Sequence, residues 1–499
     1  MLLFDVARSG TKNTILTERR QKRGTACFIH WRSFGHPWSI YFKTTVVRCT
    51  MIIEYGGGTI LLKGAETAPD YAVFDERSGC HRAPGHMYRD IKALYESAED
   101  RVFQGDHALT LRHTEKLRPY QLKAVERWLE NNGRGTIVLP TAAGKTHIGI
   151  EAISRLSTTT LVIAPTIELV QQWREKITSV IGTDTGQIGG GVKEIRPVTV
   201  STYDSAYLMA EKLGNMFRFL LVDEVHHLAS TQFIQIAKMF AAPHRLGLTA
   251  TYERVDMLHE TLGESIGGKI FEMGYEELRD YIADYEIVRI PVDLTPEEEE
   301  EYEQNHQLFL AYLRKQRIRL AGPWDFEKFI MRSWNMEGRE ALLAWRRARE
   351  IAFNARVKVD AVRYVLSRHR HEKVLIFSED TGTAYLISKE FLVPALTYLT
   401  PGPERKRYLD MFRTGDISAL ATSRVLDEGV DVPDASVGIV LSGSGSTRQF
   451  RQRLGRILRP GEGKKAVMYE IISRKTSEFG TSARRRRGVP VSTDSSEKE

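Results

Sequence analysis

The stretch Thr136-Ile-Val-Leu-Pro-Thr-Ala-Ala-Gly-Lys-Thr146 joins an apolar run to a turn of small residues, and a helical pattern follows it. Strand, tight turn and helix N-terminus in that order turn a row of backbone N–H groups toward an anion. Lys145 is placed to reach the β- and γ-phosphates of a nucleotide, and Thr146 to hold Mg²⁺. Thr141, Ala142, Ala143 and Gly144 form the wall of the same cradle. The glycine that usually opens such a loop is absent: the long pattern GxxxxGK[ST] would put it at Leu139 and a shorter one at Ala142.

Outward from this loop the chain alternates short apolar runs with helical segments. Leu161 to Ala164, Val198 to Ser201, Phe219 to Val222 and Leu246 to Leu248 are expected strands, and the rhythm returns at Val374 to Phe377, Ala419 to Thr422 and Val437 to Leu441. Repeated strand and helix imply parallel sheets covered on both faces, so two α/β domains in series are expected. The run Phe219 to Val222 delivers Asp223 and Glu224 to its carboxyl end, where α/β sheets place their ligands. Asp223 suits the Mg²⁺ shell and Glu224 the orientation of an attacking water. Read alone these are surface acids after a buried strand; the matching strand and loop upstream favour the catalytic reading.

Composition narrows the class. The chain has 499 residues, 42% of them hydrophobic, which excludes collagenous and disordered proteins and predicts about three to four domains. Its three cysteines form no close pair, so neither a disulfide framework nor a zinc site is expected. No apolar run reaches 18 residues, so no membrane span is expected; a cytoplasmic, nucleoid-associated setting is. The net charge of +7 points to nucleic acid only superficially: residues 1–50 hold nine basic and two acidic residues, leaving 62 of each sign in the rest.

Residues 1–50 show no sustained period and are expected to be a leader, either a misassigned start or a disordered extension. Met51-Ile-Ile-Glu-Tyr55, three glycines and Thr59-Ile-Leu-Leu-Lys63 predict a hairpin opening a small α+β domain over 51–112, with a helix from Tyr88 to Glu99. The first α/β domain then spans 113–283 and the second 284–480. Within the second, 295–350 predicts a helical insert: Thr295 as N-cap, Pro296 at the first helical position and Glu298 completing a capping box. The basic and polar end, 481–499, is expected to be a disordered tail.

Near the end, Gln452-Arg-Leu-Gly-Arg-Ile-Leu-Arg459 carries Arg456 and Arg459 three residues apart on an expected helix, with Gln452 one turn earlier. Two cations on one face can meet a γ-phosphate when domains close, as arginine fingers do. The bland alternative is a solvated basic stripe with Arg448, Arg451 and Arg453.

Together these residues resemble superfamily 2 helicases, from Leu117 to about Ser473. Arg118-Pro-Tyr-Gln121 is similar to the adenine-side motif; Ala164-Pro-Thr166 and Ser201-Thr-Tyr203 resemble strand-contact motifs, and Thr249-Ala-Thr251 the coupling motif. Asp427-Glu-Gly-Val-Asp431 supplies Gly429 and Asp431 on the nucleotide side. Leu139-Pro-Thr141, Asp223-Glu-Val-His-His227 and Leu248-Thr-Ala-Thr251 look like the XPB family, archaeal type. The resemblance implies two RecA-like domains in tandem, a damage-recognition-like domain in front and a thumb-like insert. It also implies ATP and Mg²⁺, 3′–5′ movement on DNA and duplex opening in nucleotide excision repair, with a nuclease partner.

The same resemblance gives DNA-binding or coupling roles to Thr166, Thr202, His226, Thr249, Thr251, Arg254, Asp256 and Thr422, with Thr202, Thr251 and Thr422 the candidates for gripping strand phosphates by hydroxyl or nearby backbone. The family's Arg-Glu-Asp loop falls on Arg254-Val255-Asp256, with valine at the central acid. That departure keeps a second expectation open, a partner-dependent duplex translocase or ATP-driven switch with little unwinding of its own. A DNA-binding scaffold without turnover is the remaining rival.

Overall fold

The computed structural model describes residues 51–486 other than 66, 104, 106–107, 255, 321–322, 424–434, 444 and 459–464, with only the backbone of 323–324, Leu16–Arg20, Thr25–His30 and Thr44–Arg48. Those last three stretches, where the sequence offered no element, pair as an antiparallel meander. Their Thr, Val, Phe and Ile content favours extended backbone without a long apolar alternation.

The expected hairpin forms from Ile52–Gly56 and Thr59–Lys63. Gly57 and Gly58 make its turn with φ of 57° and 80°, values that suit a primed turn and cost glycine little. The helix beginning at Tyr88 is shorter than expected, ending at Leu94, because Glu99–Arg101 leaves as a strand parallel to Ile52–Glu54. Ile53, Ile60, Leu62 and Ile91 bury the core of this five-stranded domain. It sits directly on the next domain: the Tyr55 hydroxyl donates to the carbonyls of Ala210 and Met239 (3.3 and 3.1 Å), and Asn215 to that of Val102 (2.9 Å). Gly85 approaches so closely that a Cβ there would lie 2.3 Å from the Met239 oxygen.

The first large sheet has eight strands, in the order Val192–Glu194, Gly186–Gly189, Val198–Thr202, Thr160–Ala164, Phe219–Asp223, His244–Thr249, Arg134–Val138, Lys269–Glu272. All neighbours are parallel except the Gly186–Gly189 hairpin pair. The central strands are buried throughout, which is why they read as continuous apolar runs. Their carboxyl ends converge, bringing the loop after Val138, Asp223 and Thr249 to one edge.

The second sheet is wholly parallel, ordered Asp284–Val292, Lys465–Ser473, Val437–Val440, Val374–Phe377, Ala419–Thr422, Ala395–Leu396. Between its first two strands in sequence stand the helices Pro296–Lys315, Pro323–Arg332 and Met336–Phe353. The first begins with the anticipated capping box at Thr295 and Glu298. Phe309, Tyr312 and Leu313 close on Phe329 and Ala341.

One expectation needs correction: the chain does not turn into a tail at 481. A helix, Glu478–Arg485, packs against the second sheet, and Arg485 and Arg486 both pair with Glu470, a fully buried carboxylate in the strand Lys465–Ser473. A basic run reads as solvated unless its buried partner is known. The rest of the expected tail, 487–499, lies outside the described residues.

The two large domains meet. The Tyr275 hydroxyl donates to the Arg451 carbonyl (3.1 Å), Ala283 N–H to Leu458 (3.1 Å), and Arg405 of the second domain pairs with Glu168 of the first at 2.8 Å.

Candidate nucleotide cleft and strand-facing residues

A cavity of 880 Å³ opens between the loop after Val138, the helix Ile167–Ile181 and the Gly455–Arg456 end of the helix Thr447–Ile457. Its floor is the loop Leu139–Gly144, feeding the helix Lys145–Leu156. Ala142 and Gly144 both take left-handed backbone, φ 71° and 72°. Gly144, Lys145 and Thr146, where the helix begins, line the cavity, the arrangement in which backbone N–H groups can receive an anion. Lys145 Nζ donates to the carbonyls of Leu139 and Pro140 (3.1 and 3.3 Å), an arrangement a nucleotide's phosphates would replace.

Arg118 and Gln121 stand at the cavity's other wall, at the start of the helix Pro119–Glu130. Gln121 closes the capping box through the Arg118 N–H (2.8 Å), while its amide donates to the Ala143 and Gly144 carbonyls (3.3 and 3.4 Å). A Cβ at Gly144 would lie 2.5 Å from that amide nitrogen, so the glycine is required by close approach as well as by φ. Arg118 binds the Tyr281 carbonyl at 2.8 Å.

Asp223 ends a fully buried strand, its Oδ2 accepting the Trp173 indole N–H (2.8 Å) and Oδ1 the Glu224 N–H (3.0 Å). Burial first, and then the neighbouring Glu224 charge, push its carboxyl up to about 6. Glu224 turns away through a left-handed backbone, φ 46°. Its Oε2 lies 3.4 Å from His226 Nδ1 and 3.5 Å from the Thr249 hydroxyl, and those two are 2.9 Å apart. Thr249 donates in turn to the Thr251 carbonyl (2.8 Å). Burial, with Arg448, His227 and Arg254 nearby, holds the His226 imidazolium form well below its ordinary range, so the ring is neutral.

The donor set fits Mg²⁺: two adjacent carboxylates, Asp223 and Glu224, line the same cavity as Thr146, and the charge that burial and repulsion disfavour on Asp223 is one a cation would relieve. Magnesium characteristically takes one or two carboxylates and completes its shell with phosphate and water.

Ala164 and Thr202 are register partners on adjacent parallel strands, and Thr166 follows two residues after Ala164, so both threonines lie at the sheet's carboxyl edge. Each caps a helix, accepting Leu169 N–H and Ser205 N–H respectively (both 3.3 Å). Arg254 pairs with Asp256 in a bidentate bond from Nε and Nη2 (2.9 and 2.6 Å) and donates from Nη1 to the His226 carbonyl at 2.7 Å. The loop is thereby tied to the carboxylate turn. Thr422 differs from expectation: it is fully buried and its hydroxyl donates to Ser423 O (2.6 Å), so its side chain cannot grip a strand in this conformation. Gly429, Asp431, Arg459 and Val255 lie outside the described residues.

In the second domain Arg456 lines the cavity and Gln452 is buried one turn before it. The solvated-stripe alternative fails at Arg453, which is buried, donates to Ser442 O (3.1 Å) and lies over the Phe377 ring. Gly455 is pressed on Thr141; a Cβ there would lie 2.2 Å from Thr141 Cβ.

Family models match three parts of the chain: the xeroderma pigmentosum group B helicase damage recognition domain over 53–102, the res subunit of type III restriction enzymes over 114–254, and the ERCC3/RAD25/XPB C-terminal helicase over 342–489. A protein of Sulfurisphaera tokodaii named DNA 3′-5′ translocase XPB2 is 42% identical over 84% of this chain and 96% of its own. The chain belongs to the XPB family. The XPB helicase of Kineococcus radiotolerans is 31% identical over 85% of this chain and 72% of its own. The factor IIH helicase/translocase subunit XPB/SSL2 of Saccharomyces cerevisiae is 27% identical, and this chain spans 46% of its length. Among solved structures, the Pyrococcus furiosus Hef helicase domain shares the fold, with a TM-score of 0.50 and 18% identity, covering 74% of this chain and 98% of that one.

Within this XPB-family chain, sequence reading missed Trp173, a single aromatic on an amphipathic helix that holds Asp223. Tyr120, part of the adenine-side motif but given no role of its own, donates its hydroxyl to Ala143 O at 2.7 Å. Sequence reading also passed over the contact across the cleft between Arg448 and His227, 3.1 Å from guanidinium to Nε2.

Proposed function

We propose that this XPB-family chain is an ATP-dependent DNA translocase and helicase, moving 3′–5′ and opening duplex DNA in nucleotide excision repair. The observation that carries it is the seating of Gly455 on Thr141, which brings Arg456 of the second domain to the phosphate cavity of the first. A site split between two domains couples a nucleotide to their separation, because a γ-phosphate adds contacts only in the closed form.

Lys145 and the N–H groups of the loop hold the phosphates; Arg456, with Arg459, stabilises charge on the transferred phosphoryl group. Glu224 orients the attacking water, held by His226 and Thr249. Bound Mg²⁺, held by Asp223 and Thr146, would neutralise phosphate charge. Thr249 connects the carboxylate turn to Thr251, and Arg254 connects it to Asp256, so a change at the phosphates is passed toward the strand-facing edge. Contacts by capping hydroxyls and helix N-termini read a phosphate backbone rather than a sequence. Damage specificity and incision therefore fall to the small N-terminal domain and to a separate nuclease.

Val255 in place of the central acid of the Arg-Glu-Asp loop favours a second reading, a duplex translocase or switch that opens DNA only with a partner. Steady-state ATP hydrolysis by the full chain tests the shared core: stimulation by DNA is expected, and loss in Lys145→Ala with DNA binding retained. A mutant turning over at the wild-type rate sinks the site, and strand displacement by the protein alone separates the two readings.

A further inference from the structure

The helix Thr447–Ile457 meets the first domain at two places on one face. Arg448, Gln452 and Arg456 are spaced four residues apart and so share that face. At the C-terminal end, Gly455 rests on Thr141 and Arg456 lines the cavity. At the N-terminal end, Arg448 Nη2 donates to His227 Nε2 at 3.1 Å. The acceptor is embedded in the machinery of the carboxylate turn. The His227 ring lies against His226 (centroids 4.4 Å apart) and edge-on to Tyr203 (5.8 Å). The Tyr203 hydroxyl donates to the carbonyls of both Asp223 and Glu224 (2.8 and 3.1 Å). His226 touches Glu224 and Thr249. A chain of contacts therefore runs from the second domain into the group that orients water, by a route separate from the phosphate.

Resting on the function proposed above, we infer that Arg448 is a positioning residue for ATP hydrolysis. Seated on His227, it holds the end of its helix remote from Gly455, so that closure brings Arg456 to one position. The Tyr275 bond to Arg451 O and the Ala283 bond to Leu458 O hold the middle and the C-terminal end of the helix, and Arg448 adds the contact at its N-terminal end. In the same closure Arg448 presses the two-histidine step against Glu224, so the water-orienting carboxylate is set only when the second domain has arrived. Arg448 touches no reacting atom in this role, and the domains can bind nucleotide without it.

The test is a cycle in the full chain: Arg448→Gln, His227→Phe, the pair together, and Arg448→Lys, each with saturating DNA. Phe keeps a ring against His226 and Tyr203 and removes both ring nitrogens, the accepting Nε2 among them. Wild-type turnover abolished by Lys145→Ala establishes the site first, so that failure of the site and failure of this contact are read separately. Each single variant is expected to lower kcat about tenfold or more with KM for ATP and binding of a fluorescent ATP analogue within about twofold. The double variant is expected to fall no further than the singles, and Arg448→Lys to recover part of kcat. Wild-type kcat in Arg448→Gln overturns the proposal. So does a double variant whose loss is the product of the two, or a loss of nucleotide affinity equal to the loss of turnover.

Discussion

Ala142 takes left-handed backbone at the position where the shorter phosphate-loop pattern has glycine. For a residue with a Cβ that conformation costs roughly 1–2 kcal/mol, while glycine would add back about 0.5–1 kcal/mol of chain entropy on folding. The terms differ by little, so alanine holds the loop. Asp223 is a more expensive residue. Its carboxyl, pushed to about 6 from an ordinary 3.8, binds a proton between those values that the unfolded chain releases. The stability this lends is complete below the lower value and lost as pH rises through the upper one. Asp223→Asn is therefore expected to raise the melting temperature at pH 7.5 by about 3 °C or more and to change it little at pH 4. Thermal unfolding at the two pH values checks this; an equal shift at both would mean that charge is not the cause.

Among elements, the strands most legible in the sequence were those buried on both faces, such as Thr160–Ala164 and Phe219–Asp223, since nothing polar interrupts them. Lys465–Ser473 and Asp284–Val292 were not anticipated because charged residues break their runs, Glu470 among them, although it is wholly buried. The site was legible wherever chemistry follows directly on such a strand, as at Lys145 and Asp223. It was not where partners come from afar: Trp173, His227 with Arg448, and the helix Glu478–Arg485 that neutralises Glu470. That helix also carries Glu478, paired in the interior with Lys358 at 2.7 Å. Burial draws the Lys358 ammonium down, and Glu478 opposes this. Lys358→Met leaves a carboxylate buried without its cation and is expected to cost about 3–5 kcal/mol; adding Glu478→Leu should recover most of it. Denaturant unfolding of the two variants decides, and a double variant no better than the single would refute the account.

At the scale of the molecule, closure depends on how near the second large domain can come to the first. A methyl group at Gly455 would occupy space held by Thr141 Cβ, 2.2 Å away. Gly455→Ala is accordingly expected to lower DNA-stimulated ATP turnover about tenfold or more while nucleotide binding by the first domain persists. Turnover measured beside fluorescent-nucleotide titration checks it; normal turnover would mean that the productive state is more open than this one. Arg405 and Glu168 bridge the same two domains with partly exposed charges, so raised salt should loosen their pairing while leaving the buried contacts untouched.

The small N-terminal domain is fastened to the first large domain through main-chain atoms: two carbonyls for one tyrosine hydroxyl, and a glycine laid directly on Met239. Bonds to main chain survive most side-chain change in the partner surface, so this part of the attachment tolerates sequence drift better than the His86–Glu264 and Arg218–Phe103 side-chain contacts beside it. Mechanically, it makes the small domain an outrigger. These contacts favour its moving as one body with the first large domain as the two large domains part and meet. Whatever surface the small domain presents is then carried along with the first large domain, at a spacing the junction sets.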